Sequence, residues 1–266
     1  MVVAISIRPV KCVLLDISGV LKNGKQAIPK SVEAFSKLRA SGMPVKLVTN
    51  ETQETRRALA STLKSLGFDL QENDITLPCP AAARYLKDER LRPYLLVHPN
   101  VREEFSDVDQ NSPNCVVVGD AGQNFTYELL NDAFRVLLNV EKPRLFSLGR
   151  GKYYREENEL VLDVGAFATA LEYAAGVKAE IVGKPQKEFF VSALTDLNMT
   201  AEDAVMVGDD VLHDIGGAQN SGLQGVLVRT GKFRTGDENH PDVKPDAIVD
   251  DLAEAVELIL NSNRLK

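Results

Sequence analysis

The chain has 266 residues, enough for one or two compact domains, and its 44% of hydrophobic and 26% of charged residues exclude wholesale disorder. A net charge of −7, from 31 basic and 38 acidic side chains, argues against nucleic acid and anionic membrane surfaces as partners. The three cysteines, Cys12, Cys79 and Cys115, lie far apart, so we expect reduced, half-buried thiols and neither a disulfide framework nor a zinc site.

Nothing in the sequence predicts export or membrane insertion. The amino-terminal segment lacks the uninterrupted apolar stretch of a signal peptide, and no apolar run approaches the length of about 18 residues that suggests a membrane span. We therefore expect a soluble intracellular protein, located in the cytoplasm and also in the nucleus. No histidine is followed by a second one four positions later, so a histidine metal site is not expected.

The first 70 residues alternate short apolar runs with amphipathic segments. A continuous apolar run predicts a strand at 11–15, because strands of a parallel sheet are covered on both faces, and Val45–Val48 is predicted as a second buried strand. A helical period predicts a helix over Ser31–Ala40, and a second helix is expected to close at Gly67. Alternation of this kind is typical of a doubly wound, Rossmann-like parallel sheet.

The same alternation returns near the carboxyl end, after a middle region of different texture. Strands are predicted there at 179–182, 204–207, 225–228 and 247–249, and helices at 189–197 and 252–260. The middle region has strand candidates at 94–97, 115–118, 145–148 and 160–162, with helices at 127–139 and 167–175. We therefore predict an α/β core from residues 1–71 and 179–266, with an α/β domain inserted at 72–178 and hinges at 77–80 and 183–185.

Polar side chains follow several of these predicted strands. Asp16 follows the first strand, Thr49, Asn50 and Glu51 follow the second, and Lys184 lies on a later turn. Another strand ends in Gly208, with Asp209 and Asp210 next to it and Asp214 four residues further on. In an open parallel sheet, ligands bind beyond the carboxyl ends of the strands where the strand order reverses. A carboxylate nucleophile, hydroxyl and amide donors, a lysine and an acidic metal cluster together suit phosphoryl transfer.

Each of these residues also has a purely structural interpretation. Asp16 precedes a glycine-containing turn, and Asn50 with Gln53 matches a helix capping box. The acidic residues after Gly208 could form the solvated start of a helix, with His213 as a surface residue. The order of the four strand-end features along the chain favours the catalytic interpretation.

Four segments resemble the motifs of the haloacid dehalogenase-like phosphatases. They are DISGVL at 16–21, LVTN at 47–50, GKP at 183–185 and VGDDVLHDIGGA at 207–218. The insert resembles the large α/β cap of the nitrophenylphosphatase-like subgroup, and the similarity extends over residues 11–260. The resemblance implies a Rossmann-like core with an inserted cap, Mg²⁺ as cofactor and a homodimer formed through the cap.

The resemblance assigns roles to the matching positions. Asp16 would attack phosphorus and carry an aspartyl-phosphate, and Mg²⁺ would be bound by Asp16, the backbone carbonyl of Ser18 and Asp209. Asp210 and Asp214 would lie behind these direct ligands. The residues expected to contact the substrate are Asp16, Ile17, Ser18, Thr49, Asn50, Glu51 and Lys184.

Ser18 departs from the family pattern. Most phosphatases that this chain resembles carry a second aspartate at this position, as the general acid for the leaving oxygen. A positioned general acid contributes about 10²–10⁴-fold to the rate, and a hydroxyl is too weak an acid to replace it. A leaving nitrogen that already carries its proton does not need this acid, and a leaving phosphate needs it less.

The resemblance implies hydrolysis of P–N bonds in phospholysine, phosphohistidine or imidodiphosphate, and of inorganic pyrophosphate, and the leaving-group chemistry at Ser18 agrees with it. The substrate could be a small molecule or a phosphorylated protein. Hydrolysis of small phosphate esters with another acid is an alternative, as is a catalytically idle module that binds phosphoproteins.

The segment from Gly149 to Tyr154 has two interpretations. Glycines around Arg150 and Lys152, followed by two tyrosines, suit a loop that closes over an anionic substrate. A hairpin turn with solvated basic residues fits the same pattern.

Overall fold

The computed structural model describes residues 7–156 and 159–264. The strands, in chain order, are β1 Cys12–Leu15, β2 Lys22–Asn23, β3 Gln26–Ala27, β4 Val45–Val48, β5 Ile75–Thr76, β6 Pro93–Leu96, β7 Cys115–Val118, β8 Leu145–Ser147, β9 Tyr153–Glu156, β10 Glu159–Leu162, β11 Ala179–Ile181, β12 Ala204–Gly208, β13 Gln224–Val228 and β14 Ala247–Val249. The helices are α1 Ser31–Ala40, α2 Arg56–Ser65, α3 Pro78–Asp88, α4 Tyr127–Leu138, α5 Val164–Ala175, α6 Lys187–Asp196, α7 Gly217–Asn220 and α8 Leu252–Arg264. In the described part of the chain, no helix combines the length and apolar composition that crossing a membrane requires.

The chain divides into two units. The core unit comprises the described residues up to Thr49, Arg57–Thr76 and those from Lys184 onward, and the inserted unit comprises Asn50–Arg56 and Leu77–Gly183. These bounds differ from the predicted insert at 72–178. The physical reason is strand pairing, because β5 pairs with β4 in the core sheet while β11 pairs with β8 in the inserted sheet. Sequence patterns identify strands but not the sheet that each one joins.

The core unit is built on a six-stranded parallel sheet in the order β14-β13-β12-β1-β4-β5. Every residue of β1, β4 and β12 is buried, which explains their mainly apolar character. The exception is Lys46 in β4, whose ammonium group donates to the Asn73 carbonyl at 2.7 Å and to Asp196 at 2.8 Å. From β1 the chain first builds toward β5 and later returns to build from β12 toward β14. The strand order therefore reverses between β1 and β12, where doubly wound sheets bind ligands.

The inserted unit has a four-stranded parallel sheet in the order β11-β8-β7-β6. Alternate residues of β7 enter different apolar clusters: Cys115 and Val117 pack with α3, whereas Val116 and Val118 pack with α4 and α5. Helices thus cover both faces of this sheet, and β9 and β10 form a separate two-stranded antiparallel hairpin.

The stretch 77–80, predicted as a hinge, lies where the chain passes from the core unit to the inserted unit, and helix α3 begins there at Pro78. A proline is tolerated in the first turn of a helix, where its missing N–H has no intrahelical partner. The expectation for the cysteines needs correction. The cysteines are not half-buried: Cys12, Cys79 and Cys115 are each at most 1% exposed. They are free thiols, and burial raises the pKa of Cys12 to about 11 and of Cys115 to about 12.

Candidate active site

Two adjacent strand ends bring the first acidic residues together. In the parallel pair of β1 and β12, Leu15 lies opposite Val207, and the Asp16 N–H donates to the Val207 carbonyl at 2.9 Å. Asp16 and Asp209 directly follow these strands. They therefore leave the sheet side by side, at the point where the strand order reverses.

Asp214 completes a cluster of buried carboxylates with Asp16 and Asp209. Their relative exposures are 6% for Asp16, 2% for Asp209 and 1% for Asp214, and one oxygen from each lies within 4.8 Å of the others. Asp214 is carried into place by the π-helical turn Val211–Gly216 that follows β12. A Cβ at Gly208 would lie 2.4 Å from Asp214 Oδ2, so the close approach of the two requires glycine.

Lys184 is the buried cation of this cluster. Its Nζ lies 2.5 Å from Asp16 Oδ1, 2.7 Å from Asp214 Oδ1 and 3.0 Å from the Val48 carbonyl oxygen. Burial alone would lower the pKa of Lys184, but the charges of Asp16 and Asp214 raise it above its ordinary value. The lysine is thus held charged against the carboxylates. Its ammonium group lies at the end of β1, where Asp16 follows the strand.

The three carboxylates outnumber this one ammonium group. Burial raises the pKa of Asp16 to about 6, although Lys184 opposes the shift, and burial together with Asp16 and Asp214 raises the pKa of Asp209 to about 8. Ionisation of all three carboxyl groups would therefore leave more negative charge than Lys184 balances in this desolvated position. Hard carboxylate oxygens in such a group are suited to a divalent cation.

Asp210 lies outside this cluster. Its Oδ1 accepts hydrogen bonds from the backbone N–H groups of Leu212 and His213, and its Oδ2 lies 2.9 Å from His213 Nδ1. Burial alone would raise the pKa of Asp210, but the contacts with His213 lower it below its usual range. Asp210 thus stabilises the start of the turn, whereas Asp214, grouped with it in the sequence prediction, contributes an oxygen to the acidic cluster.

The loop after Asp16 presents its neighbours differently. The Ile17 side chain is 1% exposed and packs in the core, so contact with a ligand would have to involve its backbone. The Ser18 side chain is exposed. Gly19 follows with a φ of +92°, a left-handed conformation that allows the sharp turn after Asp16.

The predicted residues after β4 fall in both units. Thr49 is buried in the core unit, and its N–H donates to the Thr76 carbonyl at 3.3 Å. Asn50 and Glu51 belong to the inserted unit, where Glu51 Oε1 accepts from the Gln53 N–H at 2.6 Å. The capping-box interpretation of Asn50 and Gln53 is wrong.

Helix α2 begins only at Arg56, so Asn50 cannot be its N-cap. The Gln53 side chain instead donates to Asp120 at 2.6 Å. Asn50 also approaches Gly183, where a Cβ would lie 2.7 Å from Asn50 Oδ1.

One contact to the acidic cluster was not predicted. The backbone N–H of Lys232 donates to Asp209 Oδ2 at 2.6 Å, and the Thr230 hydroxyl donates to the Gly19 carbonyl. The available sequence signal was a glycine, Gly231, just beyond the predicted strand that ends at Val228. A glycine in a loop does not indicate which distant residue the loop contacts, so the contact with Asp209 could not be predicted from it.

The loop from Gly149 leads into the hairpin of β9 and β10, and its two basic side chains have different surroundings. Arg150 forms an ion pair of 3.0 Å with Glu172, whose side chain is 6% exposed. A Cβ at Gly151 would lie 1.8 Å from Asp163 Oδ2, so this glycine permits close packing. Lys152 remains exposed.

Comparisons with known proteins cover nearly the whole chain. A model of the haloacid dehalogenase-like hydrolases matches residues 13–111, and a HAD-hydrolase-like model matches residues 181–255. The phospholysine phosphohistidine inorganic pyrophosphate phosphatase of Homo sapiens is 54% identical over 255 residues, covering 94% of each chain. The protein of the same name from Danio rerio is 50% identical and covers 96% of each chain.

Solved structures show the same architecture. A p-nitrophenyl phosphatase from Archaeoglobus fulgidus aligns with a TM-score of 0.86 at 27% identity, over 94% of this chain and 99% of that one. NagD from E. coli aligns with a TM-score of 0.83 at 24% identity, over 92% of this chain and 98% of that one. The second likeness concerns the fold alone.

Proposed function

We propose a substrate class and a mechanism for this chain, which belongs to the haloacid dehalogenase-like hydrolase family and is a phosphatase. The proposed reaction is hydrolysis of P–N bonds, in phospholysine, phosphohistidine or imidodiphosphate, and of inorganic pyrophosphate. The observation that carries it is the buried pair of Asp16 and Lys184, 2.5 Å apart, at the reversal of the strand order.

Asp16 is the proposed nucleophile. One of its carboxylate oxygens forms a bond to phosphorus while the bond to the leaving nitrogen or oxygen breaks, which gives an aspartyl-phosphate. Water then attacks this phosphorus, so that inorganic phosphate leaves and the Asp16 carboxylate is regenerated. Lys184 stabilises the ionised Asp16 before attack and the negative charge on the phosphoryl group during it.

Mg²⁺ is the proposed cofactor, held by Asp16, Asp209 and the backbone carbonyl of Ser18. The donor set fits, because it offers buried carboxylate oxygens with more negative charge than Lys184 balances. When bound, the ion supplies Lewis-acid stabilisation of the charge on the phosphoryl oxygens. Asp214 contributes a third carboxylate oxygen within the same 4.8 Å and is held by Lys184, so we place it directly behind the ligands.

The proposed phosphate-binding residues come from three parts of the chain: the loop after Asp16, the residues after β4, and Lys184. Lys184 and Thr49 are buried polar residues of the core unit that can hold phosphate oxygens. Asn50 and Glu51 directly follow Thr49 in the chain, and we propose that they contact the substrate as well. Ile17 and Ser18 would contribute backbone groups, since the Ile17 side chain is buried in the core.

Ser18 supports the proposed choice of leaving group. Its side chain is exposed beside the nucleophile loop and carries no carboxyl group. Without a positioned acid, a leaving alkoxide forgoes about 10²–10⁴-fold of rate, or roughly 3–5 kcal/mol of barrier. An amine or imidazole that leaves with its own proton, or a weakly basic phosphate, avoids most of this loss.

A phosphate-ester phosphatase is the second candidate. It is favoured by the structural likeness to the p-nitrophenyl phosphatase from Archaeoglobus fulgidus at 27% identity. In this case a group other than Ser18, such as a water molecule, would have to protonate the leaving oxygen.

A phosphate-release panel tests these proposals. It would compare imidodiphosphate, a phosphohistidine peptide, a phospholysine peptide and pyrophosphate with p-nitrophenyl phosphate and a sugar phosphate, each with Mg²⁺ and with EDTA. We expect kcat/KM to be highest for the P–N substrates and pyrophosphate, and turnover to be lost in EDTA. A sugar phosphate as the best substrate would favour the second candidate, and turnover that persists in EDTA would contradict the proposed cofactor.

We also propose that two copies of the chain associate through the inserted unit. The hairpin of β9 and β10 carries three exposed apolar side chains, Tyr153, Leu160 and Leu162. Leu162 pairs with Tyr153 across the strands and Leu160 lies two residues away, so all three project from one face. A cytoplasmic location, with reduced thiols at the three buried cysteines, is proposed as well.

A further inference from the structure

The turn that follows β13 contacts both loops of the proposed metal site. The Lys232 N–H donates to Asp209 Oδ2 at 2.6 Å, and the Thr230 hydroxyl donates to the carbonyl of Gly19, three residues after the nucleophile. The Gly19 N–H in turn donates to the Lys22 carbonyl at 2.8 Å. One short segment, Thr230 to Lys232, thus links the strand ends that carry Asp16 and Asp209.

Two glycines enclose the Asp209 carboxylate. A Cβ would lie 1.9 Å from Asp209 Oδ2 if built at Gly19, and 2.0 Å from the same oxygen if built at Gly231. A Cβ at Gly231 would also lie 2.5 Å from the Gly19 Cα. No side chain larger than hydrogen fits at either position unless Asp209 or the backbone moves. The carboxylate is therefore confined by backbone atoms as well as by its hydrogen bond.

We propose that the Thr230–Lys232 turn is a positioning element that fixes the Asp209 carboxylate and thereby sets the divalent-cation affinity of the site. The inference rests on the metal site of the proposed function. A donor that orients a liganding carboxylate reduces the freedom that the ligand loses when the cation binds, and removing such a partner typically weakens metal binding by about 10–100-fold. Lys232 acts through Asp209, and Thr230 acts through the Gly19 backbone that packs against Asp209, so they are positioning residues rather than catalytic ones.

Gly231→Ala tests the inference, with Gly24→Ala as its matched control. Gly231 has a φ of +61° and Gly24 a φ of +56°, so both variants incur the same kind of backbone strain, but no atom lies within 4 Å of a Cβ at Gly24. Calorimetric titration with Mg²⁺ alone measures the dissociation constant in each protein. We expect Gly231→Ala to weaken Mg²⁺ binding at least about tenfold and Gly24→Ala to leave it within about twofold.

Thr230→Val and Thr230→Ser give a second test if Gly231→Ala does not fold. Valine keeps the shape of threonine but removes the hydroxyl that donates to Gly19, whereas serine restores it. We expect Thr230→Val to raise the Mg²⁺ dissociation constant and the Mg²⁺ concentration for half-maximal activity. The kcat at saturating Mg²⁺ and the substrate KM should change little, and Thr230→Ser should behave like the wild type.

The results distinguish failure of the proposed metal site from failure of the positioning role of the turn. If the wild-type protein does not bind Mg²⁺, the proposed metal site fails, and the inference fails with it. If the wild type binds Mg²⁺ and both Gly231→Ala and Thr230→Val bind it equally well, only the positioning role is overturned. Equal weakening by Gly24→Ala and Gly231→Ala would also overturn it, because strain alone would then explain the effect.

Discussion

Asp16 forms a buried pair with Lys184, and an amide at this position would keep the shape but lose the carboxylate that we propose as nucleophile. We predict that Asp16→Asn lowers kcat by at least about 10³-fold, because an amide is a poor nucleophile and a poor Mg²⁺ ligand. Steady-state phosphate release measures this, and thermal unfolding of the variant checks that the fold is retained. Activity within tenfold of the wild type would rule out the covalent mechanism.

Asp209 and Asp210 are neighbours with different surroundings, and their alanine variants should differ accordingly. Asp209 belongs to the buried cluster, whereas Asp210 accepts hydrogen bonds from the start of the turn after β12. We predict that Asp209→Ala raises the Mg²⁺ requirement at least about tenfold. Asp210→Ala should raise it less and should instead lower stability by about 1 kcal/mol through the lost cap. Mg²⁺ titrations of activity with the reverse order would mean that the direct ligands are wrongly assigned.

Ser18 is the residue that we expect to determine leaving-group preference. Ser18→Asp places a carboxyl group two residues after the nucleophile, while the backbone carbonyl proposed for Mg²⁺ is unchanged. Poor leaving groups should gain, up to a ceiling of about 10²–10⁴-fold, and P–N substrates should not. The measurement is the ratio of kcat/KM for an alkyl phosphate to that for imidodiphosphate, in which a uniform loss of binding cancels. A flat ratio in a folded, Mg²⁺-binding variant would contradict the assignment.

Among the elements, those with a strong local signal were predicted closely. α1 and β4 have the predicted bounds, because the helical period in one and the mainly apolar composition of the other depend only on neighbouring residues. Helix α3 was missed, since its first turn contains Pro78 and Pro80, which also occur in hinges. The short strand β5 was missed too, because two residues carry no period and are defined only by their pairing with β4.

Helix α5 joins the Gly149 loop to β11 through one side chain. Glu172 Oε2 binds Arg150 at 3.0 Å, and Oε1 accepts from the Ala179 N–H at 2.8 Å. We predict that Glu172→Gln destabilises the protein by about 1–3 kcal/mol at pH 7, because a buried charged hydrogen bond is lost. Thermal unfolding measures this. Glu180→Gln is the control, since Glu180 is exposed beside Arg144 and should cost at most about 1 kcal/mol.

The same variant has an expected pH dependence. The hydrogen bond from Arg150 lowers the pKa of Glu172 below its ordinary value, so the ionised carboxylate is preferred in the folded state. The resulting stabilisation is complete above the unfolded pKa of about 4.3 and is lost as the pH falls through the lower folded pKa. The difference in Tm between wild type and Glu172→Gln should therefore shrink below about pH 4. A difference that stays constant down to pH 3 would leave the ion pair without a role in stability.

At the scale of the whole molecule, the sequence predicted an interrupted core, because buried strands and strand-end polar residues occur on both sides of a different middle region. The predicted hinges at 77–80 and 183–185 lie where the units divide, whereas the predicted insert bounds of 72–178 do not, since these depend on the sheet that β5 and β11 each join. The site was predicted only in part, because it too depends on contacts between segments that are distant in the sequence. Motif residues Asp16, Lys184 and Asp209 were identified in advance, but the contacts of Thr230–Lys232 with Asp209 and Gly19 depend on how distant loops fold together.

The proposed association of two copies can be tested on the hairpin face formed by Tyr153, Leu160 and Leu162. Apolar side chains at the centre of an interface contribute most of the binding free energy, and placing a carboxylate among them buries an unpaired charge. We predict that Leu160→Glu or Leu162→Glu raises the dimer dissociation constant at least about tenfold, which light scattering across a concentration series would measure. Leu138→Glu is the matched control, since Leu138 is 57% exposed on α4, outside the hairpin, and should leave the dimer intact. A wild-type chain that stays monomeric at every concentration, or a dimer that tolerates both hairpin variants, would exclude this face as the interface.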